Sequence, residues 1–313
     1  MLEVIGGQGF MKKVVSVSIG SSKRDSYIER EILGEKFIIE RIGTDGNIKK
    51  AVQLIEKLDG NVDALGMGGI DLYLWAGKHR YTIREARALK RAAKKTPIVD
   101  GSGLKNTLER KTIDYLVENN IIDFQEKVTL MTCALDRFGM AETIYQYKGK
   151  LVIGDIIFAL GLDVPVYSLK KIQTIARWIA PIACQLPFPL LYPTGEKQNV
   201  GVSSKLVKYY KNVDIIAGDF HYIKRYMPKK LNGKIIITNT VTKEDLMEVK
   251  EKGVSILITT TPRLGDRSFG TNVIEAMMIA IMKEGKYNTY QEIIEVLNLL
   301  PRVEYLQTQP NLQ

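Results

Sequence analysis

The sequence predicts an α/β fold with two Rossmann-like domains built on mostly parallel sheets. β-rich runs alternate with segments of helical periodicity, which is typical of parallel sheets with crossover helices. With 313 residues, 45% of them hydrophobic, the chain is long enough to give each of two domains its own core. Four β-rich runs also end in Gly-, Asp- or Thr-rich turns that open a helix, within residues 62–69, 97–103, 152–155 and 256–262.

The first predicted domain covers residues 12–122 and carries β-hairpins on its parallel core. It opens with an alternating strand at residues 14–19 and a hairpin at 31–42. A helix follows over 48–58, with Val52, Ile55 and Leu58 on one face. The remaining predicted elements are a strand at 62–65, a hairpin at 72–83, a basic helix at 84–95, a strand at 98–100 and a helix at 104–118.

The second predicted domain covers residues 127–300 and follows a polar boundary at 119–127. Its predicted strands are separated by helical segments and lie at 127–132, 151–153, 214–217, 234–238 and 255–259. Residues 1–11 are predicted to be a disordered tail, and residues 301–313 a second tail.

Composition and charge exclude several classes of function. The net charge is +10, but lysine and arginine are interleaved with acidic residues, and no zinc-finger spacing or RNP-like signature occurs. No uninterrupted apolar span reaches membrane length. The two cysteines, Cys133 and Cys184, are too few for a disulfide framework. We therefore expect a cytoplasmic protein with no metal site and no nucleic-acid or membrane partner; a homodimer is compatible with the sequence.

The turn at residues 98–107 is the strongest candidate for binding an anionic ligand. In open α/β folds, ligands bind beyond the carboxyl ends of the strands, where glycines admit the backbone and helix N-termini attract anions. Asp100, Ser102, Lys105 and Asn106 are therefore predicted substrate ligands. An ordinary turn, in which Asp100 or Ser102 only caps the helix, is an equal alternative.

The loop at residues 259–272 is the second candidate for the substrate. Arginine offers paired donors to a carboxylate or phosphate, and hydroxyl groups with a helix terminus would complete the pocket. A surface loop with solvated arginines is the alternative. The predicted ligands here are Thr260, Thr261, Arg263, Arg267, Thr271 and Asn272.

Residues in three strand-end turns are predicted to contact a cofactor. The stretch at 66–71 partly resembles a dinucleotide fingerprint, although its third glycine is misplaced and a hairpin follows it. The predicted cofactor contacts are Gly66, Gly68, Gly69, Asp136, Arg137, Gly154 and Asp155.

Asp219 and His221 form the candidate catalytic pair. A strand-end carboxylate beside an imidazole can orient the ring and raise its basicity, which suits acid–base chemistry. The alternative is that Asp219 only caps the following helix. Cys133 is a nucleophile only if its pKa is depressed, and otherwise it is a packing residue.

Several stretches together resemble a group of bacterial proteins commonly labelled quinate 5-dehydrogenase. The resemblance runs from about residue 11 to residue 282 and implies NAD(P)-dependent oxidation of a cyclic polyhydroxy acid to its keto form. The Asn-Val-Thr-x-Pro-x-Lys motif of standard shikimate and quinate dehydrogenases has its nearest counterpart at residues 239–243, without the proline. The similar stretches are 14–20, 40–46, 64–71, 96–110, 135–142, 192–198, 217–228 and 259–276.

The predicted function is that of a small-molecule enzyme, an NAD(P)-linked oxidoreductase acting on a hydroxy acid. NAD or NADP is the expected cofactor, and a cleft between the domains is expected to hold the anionic ligand. Two alternatives stay open. One is a transferase or isomerase acting on a phosphorylated or nucleotide-linked metabolite, and the other is a non-enzymatic metabolite-binding sensor.

Overall fold

The computed structural model describes residues 11–76, 79–186, 206–261, 263–264, 267–268 and 270–307; for 75–76, 263–264 and 267–268 it describes the backbone alone. The chain divides into two compact units. The first unit contains Met1–Leu72, Glu85–Leu104 and Gly270–Asn298. The second unit contains Tyr73–Arg84, Lys105–Phe269 and Leu299–Gln313.

The first unit is built on a five-stranded, mainly parallel sheet in the order β2-β3-β1-β4-β7. Its strands are β1 (Lys12–Ser18), β2 (Ser26–Ile32), β3 (Glu35–Gly43), β4 (Ala64–Gly68) and β7 (Ile98–Val99). Strand β1 pairs in parallel with β3 and β4, whereas β2 is antiparallel to β3 at the edge. Six of the seven residues of β1 are buried, as expected of a central strand covered on both faces.

Helices from distant parts of the chain cover this sheet. They are α1 (Ile48–Leu58), most of α2 (Arg84–Ala92), α10 (Thr271–Met282) and α11 (Tyr290–Val296), with a short 3₁₀ turn at Ser22–Arg24. The Asn47 side chain caps α1 by accepting a hydrogen bond from the Lys50 N–H. Helix α10 packs on β1 and β4, and its residues are buried nearly all round.

The second unit is built on a six-stranded sheet in the order β15-β12-β11-β10-β8-β9. The five strands from β12 to β9 in this order are parallel to one another, and the edge strand β15 is antiparallel to β12. The chain starts at β8, goes outward to β9, and then returns to build β10, β11 and β12 on the other side. This winding places a topological switch point between β8 and β10. The strands are β8 (Val128–Met131), β9 (Lys150–Ile153), β10 (Ile215–Ala217), β11 (Ile235–Thr238), β12 (Ile256–Thr259) and β15 (Arg302–Tyr305).

Alternate residues of these strands feed two cores on opposite faces of the sheet. Met131 and Ile237 belong to a core with side chains of α3 and α4, whereas Leu130 and Ile236 belong to a core with side chains of α8 and α9. The period of two explains why the strands read as continuous apolar runs. The helices of this unit are α3 (Ser102–Glu118, from Lys105 onward), α4 (Phe138–Gln146), α5 (Asp155–Leu160), α6 (Leu169–Ala183), α7 (Lys208–Lys211), α8 (Phe220–Tyr226) and α9 (Lys243–Glu251).

Two short β-pairs complete the second unit. The hairpin of β5 (Tyr73–Ala76) and β6 (His79–Thr82) packs against α6. The backbones of β13 (Arg263–Leu264) and β14 (Arg267–Ser268) form an antiparallel pair. None of the described helices is long and apolar enough to cross a bilayer.

The α/β fold class predicted from the sequence is confirmed, since both large sheets are mainly parallel. The domain boundaries differ from the predicted 12–122 and 127–300. The division falls after Leu104, inside α3, and residues 270–298 return to the first unit because α10 packs on its sheet. The 72–83 hairpin, predicted to decorate the first domain, belongs to the second unit. The predicted tail at 301–313 contains β15, and residues 1–10 lie outside the described chain.

Candidate functional site

The carboxyl edge of the second unit's sheet carries a row of polar groups, which we call the strand-end cluster. Its members follow β8, β9, β10 and β11, so they flank the switch point between β8 and β10, where ligands bind in doubly wound folds. The strand-end cluster consists of Cys133, Asp136, Arg137, Asp155, Asp219 and Asn239, together with Lys105 and Glu109 of α3.

Arg137 is the buried centre of the cluster. Its Nη1 donates to Oε1 of Glu109, and its Nη2 donates to Oδ2 of Asp219 at 2.9 Å. Oδ2 of Asp136 lies 3.6 Å from Nε. Burial opposes the charge of the guanidinium, but the surrounding carboxylates outweigh it and raise the pKa of Arg137. A buried charge of this kind persists only when it is paired.

Two members of the cluster, Asn239 and Glu109, were not predicted as site residues, and the more deeply buried of them is Glu109. Its side chain is only 1% exposed, and its Oε2 has no hydrogen-bond partner among the described residues. Burial raises the pKa of Glu109 although Arg137 acts in the opposite direction. An acidic residue on the apolar face of α3, beside Leu108 and Ile113, was the signal that could have identified it.

Asp219 links the two sides of the switch point. Its Oδ2 accepts from Nδ2 of Asn239 at 2.8 Å as well as from Arg137, and its backbone N–H donates to Sγ of Cys133 at 3.2 Å. Its Oδ1 accepts from the backbone N–H of His221 at 2.9 Å and thereby caps α8. The expected acid–base couple is therefore not formed: the carboxylate is engaged by a backbone amide, and His221 is exposed.

Asp155 lies at the end of β9 and holds the turn after β8. Its two carboxylate oxygens accept from the backbone N–H groups of Ala134 and Leu135, at 2.8 and 2.9 Å. Burial nevertheless outweighs these hydrogen bonds and raises the pKa of Asp155 from 3.8 to about 6. Gly154 precedes it as the N-cap of α5 and donates its N–H to the Met131 carbonyl at 2.8 Å.

The raised pKa of Asp155 predicts a specific pH dependence of stability. The folded state binds this proton more tightly than the unfolded state, so the contribution is fully present below the unfolded pKa of 3.8 and is lost as pH rises through about 6. We expect the unfolding free energy of the native chain to fall between pH 4 and pH 7 relative to that of Asp155→Asn. Urea unfolding across this range measures the difference; parallel curves for both proteins would contradict the assignment.

Among the remaining predicted ligands of the second unit, Lys105 and Asn106 are paired within the protein, and Thr260 and Thr261 are buried. Nζ of Lys105 lies 2.5 Å from Oδ1 of Asp136, and Oδ1 of Asn106 accepts from Nε of Arg110 at 2.9 Å. Thr260 and Thr261 are buried at the end of β12, beside β11. The side chains of Arg263 and Arg267 lie outside the described residues.

Burial also decides the state of Cys133. It raises the pKa of this thiol, so the thiol stays protonated at neutral pH and does not act as an activated nucleophile. Of the two roles considered for Cys133, the buried side chain fits that of a packing residue.

The predicted cofactor glycines of the first unit serve packing. A Cβ on Gly66 would lie 2.9 Å from the backbone oxygen of Asn272, and one on Gly68 would lie 2.9 Å from Ser18. These positions let the start of α10 approach the sheet, where Nδ2 of Asn272 donates to Oγ of Ser16 at 2.6 Å. Gly69 has a φ of 77°. Thr271 and Asn272 thus belong to the first unit, unlike Thr260 and Thr261.

The turn at residues 100–104 already holds a carboxylate of the protein itself. Glu275 is buried and accepts from the N–H of Gly101 at 2.6 Å, the N–H of Leu104 at 3.3 Å and the hydroxyl of Tyr290 at 2.8 Å. Asp100 accepts from Ser102 and from the Leu72 N–H. The carboxylate of Glu275 therefore occupies the turn that was predicted to bind an external anion. Asp100 accepts from the first N–H of α3, as expected if it only caps the helix.

Internal carboxylates therefore satisfy the strand-end amides that were expected to bind an anionic ligand. The two cations of the strand-end cluster, Lys105 and Arg137, are paired with carboxylates. The cluster contains four carboxyl groups, those of Glu109, Asp136, Asp155 and Asp219. Among the described residues of the cluster, acidic groups therefore outnumber cations, which does not suit the anionic ligand expected from the sequence. Within the described residues, no group of three or more His, Cys, Asp or Glu side chains is arranged to hold a metal ion.

The fold and the cluster define the chain as a two-unit, doubly wound α/β protein with a polar switch point. Residues 103–306 match the family model described as a domain of unknown function, DUF8754, and the chain belongs to that family. Residues 13–100 match a second such domain, DUF8753. No curated protein matches the chain.

Several solved structures have remote similarity to the chain. An ABC transporter solute-binding protein from Agrobacterium vitis with bound allitol has a TM-score of 0.44 at 13% identity, covering 95% of this chain and 96% of the other. GanP, a glucose-galactose binding protein from Geobacillus stearothermophilus, has a TM-score of 0.39 at 11% identity, covering 96% of this chain and 99% of the other. An NAD-dependent malic enzyme from Thermotoga maritima has a TM-score of 0.38 at 13% identity, covering 92% of this chain and 76% of the other. Similarity at this level assigns no function.

Proposed function

We propose that the second unit binds a small, hydroxyl-rich metabolite at its strand-end cluster. The observation that carries this proposal is the position of Asp219. This half-buried carboxylate is held at the switch point by the buried Arg137 and by Asn239. Such fixed acceptors, together with the carboxyl group of Asp155, suit the hydroxyl groups of a ligand.

The charges of the cluster favour hydroxyl groups over an anionic group as the part of the ligand bound here. Lys105 and Arg137 are engaged by carboxylates, and Asp155 occupies the Ala134 and Leu135 amides. An added anion would meet four carboxyl groups at this edge. A polyhydroxy acid would therefore be held at this edge by its hydroxyl groups, and the predicted contacts of Arg263 and Arg267 with its acidic group stay a prediction.

For the reaction, we propose NAD(P)-linked oxidation of one ligand hydroxyl. Asp155 supports this choice, because a pKa of about 6 suits a proton acceptor at neutral pH. The hydroxyl proton would pass to the Asp155 carboxylate, and a bound nicotinamide would supply the acceptor for the hydride released by the carbon that carries this hydroxyl. The resemblance to the group labelled quinate 5-dehydrogenase points the same way. Since Asp155 occupies the amides after β8, we do not assign the cofactor's pyrophosphate to that turn.

Calorimetric titration with a cyclic polyhydroxy acid and with the corresponding uncharged cyclic polyol tests the binding proposal. We expect both to bind, and we expect Asp219→Asn to lose at least tenfold in affinity, about 1.4 kcal/mol. Asp114→Asn is the matched control, because this α3 carboxylate accepts from the Tyr147 hydroxyl and is not in the cluster. Unchanged affinity in Asp219→Asn, in protein with native circular dichroism, would remove the cluster from the site.

The reaction is tested separately, by following reduced nicotinamide in absorbance with NAD or NADP present. Formation of reduced cofactor supports oxidoreduction. Binding without turnover supports the sensor alternative. Binding restricted to phosphorylated or nucleotide-linked ligands would support a transferase or isomerase, which the occupied strand-end amides make the weaker alternative.

A further inference from the structure

Helix α6 exposes large apolar side chains on the side opposite its buried face. The buried face of the helix is formed by Ile172, Ala176 and Ala180. On the opposite side, Trp178 is 79% exposed and Ile182 is 71% exposed. Leu169 and Ile175 pack on the core beside Ile172, so large apolar side chains lie on both faces of the helix, and those of the outer face are exposed.

The apolar exposure continues on both sides of this face. Ile179 is 44% exposed within the helix, and Leu186 is exposed just beyond its end. The segment that leads into the helix also exposes large apolar side chains, namely Leu160, Leu162, Val164 and Tyr167. Exposed apolar residues are ordinary when scattered singly, but such a concentration in fewer than thirty residues is not.

The charged residues of α6 and of the neighbouring hairpin have one sign. Residues 168–186 contain Lys170, Lys171 and Arg177 and no acidic residue. The neighbouring β5–β6 hairpin, residues 73–84, contains Arg80 and Arg84 and again no acidic residue. Within α6 and the hairpin the apolar face is therefore bordered only by cations, and Asp163, in the segment that leads into the helix, is paired with Nζ of Lys208 at 2.6 Å.

The hairpin and α6 form one surface. Nη2 of Arg177 lies 2.5 Å from Nε2 of His79, and because arginine can only donate, the ring nitrogen accepts. The Arg84 N–H donates to the Cys184 carbonyl at 2.9 Å, just beyond the helix. Basic groups from both elements can thus act on the same partner.

We propose that α6 docks on an anionic lipid bilayer, lying in the plane of the interface. A helix with Trp and Ile on one face, bordered by Lys and Arg, is the pattern of interfacial helices, in which apolar burial and attraction to anionic lipid act together. No membrane partner was expected from the sequence because it contains no uninterrupted apolar span long enough to cross a bilayer. An in-plane helix requires no such length.

The same charges argue against the other occupants of this face. A second copy related by a twofold axis would place Lys170, Lys171 and Arg177 against an equally basic surface. A nucleic acid would match the charge but would leave Ile179 and Ile182 without an apolar partner. An anionic bilayer satisfies both the charge and the apolar surface.

Co-sedimentation with vesicles tests the proposal on the full chain. We expect at least tenfold stronger binding to vesicles with one third phosphatidylglycerol in phosphatidylcholine than to phosphatidylcholine alone, and weaker binding as salt increases. Trp178→Ser/Ile182→Ser and Lys170→Gln/Lys171→Gln should each lose at least tenfold. Met247→Ser is the control, since Met247 is 64% exposed on α9 and should leave binding unchanged.

A second readout reports the position of the helix. Tryptophan emission should shift to shorter wavelength on anionic vesicles, and Trp178→Phe, which keeps only Trp75, should lose that shift. Absence of binding to anionic vesicles would overturn the proposal. Equal loss in Met247→Ser would overturn it too. So would a lipid-independent dimer that Trp178→Ser/Ile182→Ser converts to monomer.

Discussion

Replacing Arg137 by methionine is expected to lower the free energy of unfolding by about 3–5 kcal/mol, because removing one partner of a buried ion pair leaves the other charge uncompensated. Glu109 is almost fully enclosed and cannot turn to solvent. Burial already raises the pKa of Glu109, and without Arg137 it would rise further. The loss should therefore be larger at pH 7 than at pH 5, where Glu109 can be protonated; urea unfolding at both values measures it.

Two further variants separate charge from packing. Arg110→Met removes an ion pair between Arg110 of α3 and Glu142 of α4. Both side chains are partly exposed, so the change should cost at most about 1 kcal/mol. The double variant Arg137→Met/Glu109→Gln should recover part of the loss, because no buried charge is left alone. A double variant as unstable as Arg137→Met would show that the lost contacts of the arginine, and not the stranded carboxylate, cause the effect.

Gly101→Ala should be the second strongly destabilising change, at about 2–5 kcal/mol for a left-handed backbone combined with overpacking. Gly101 has a φ of 91°, and a Cβ there would lie 2.6 Å from the backbone nitrogen of Asn272 and 2.9 Å from the carbonyl carbon of Thr271. Backbone cannot rotate away as a side chain can, so α10 would have to shift. Urea unfolding measures the loss.

Gly34→Ala is the matched control for this prediction. Gly34 has a similar φ of 81°, but no atom lies within 4 Å of a Cβ built there. Its substitution should therefore cost only the backbone term, about 1–2 kcal/mol. Equal losses at the two glycines would show that the approach of α10 adds nothing.

Local features of the fold could be predicted from the sequence because their causes are local. Asn47 follows a glycine-rich turn and precedes a helical period, and it caps α1 as such a residue should. The β5–β6 hairpin and the start of α10 at Thr271 also depend on neighbouring residues. Periodicity and turn chemistry act over a few positions, so one sequence is enough to recognise them.

The assignment of segments to units and the state of the candidate site depend on residues far apart in the chain. Glu275 occupies the amide of Gly101 from 174 residues away, and Asn239 reaches Asp219 from 20. The glycine-rich turn at residues 98–107 has the composition of a ligand-binding turn, and only the folded chain reveals that Glu275 occupies its amides. Glu109 and Arg137 meet for the same reason, across the gap between two helices.

The first unit is made of segments that lie far apart in the chain, which has a consequence for biosynthesis. Domains at the start of a chain usually fold first as they leave the ribosome. Here the opening sheet lacks α10 and α11 until the ribosome has made residues 270–298, by which time the strands β8 to β12 are complete. The apolar strands that α10 covers therefore stay exposed in the nascent chain until residues 270–298 have been translated.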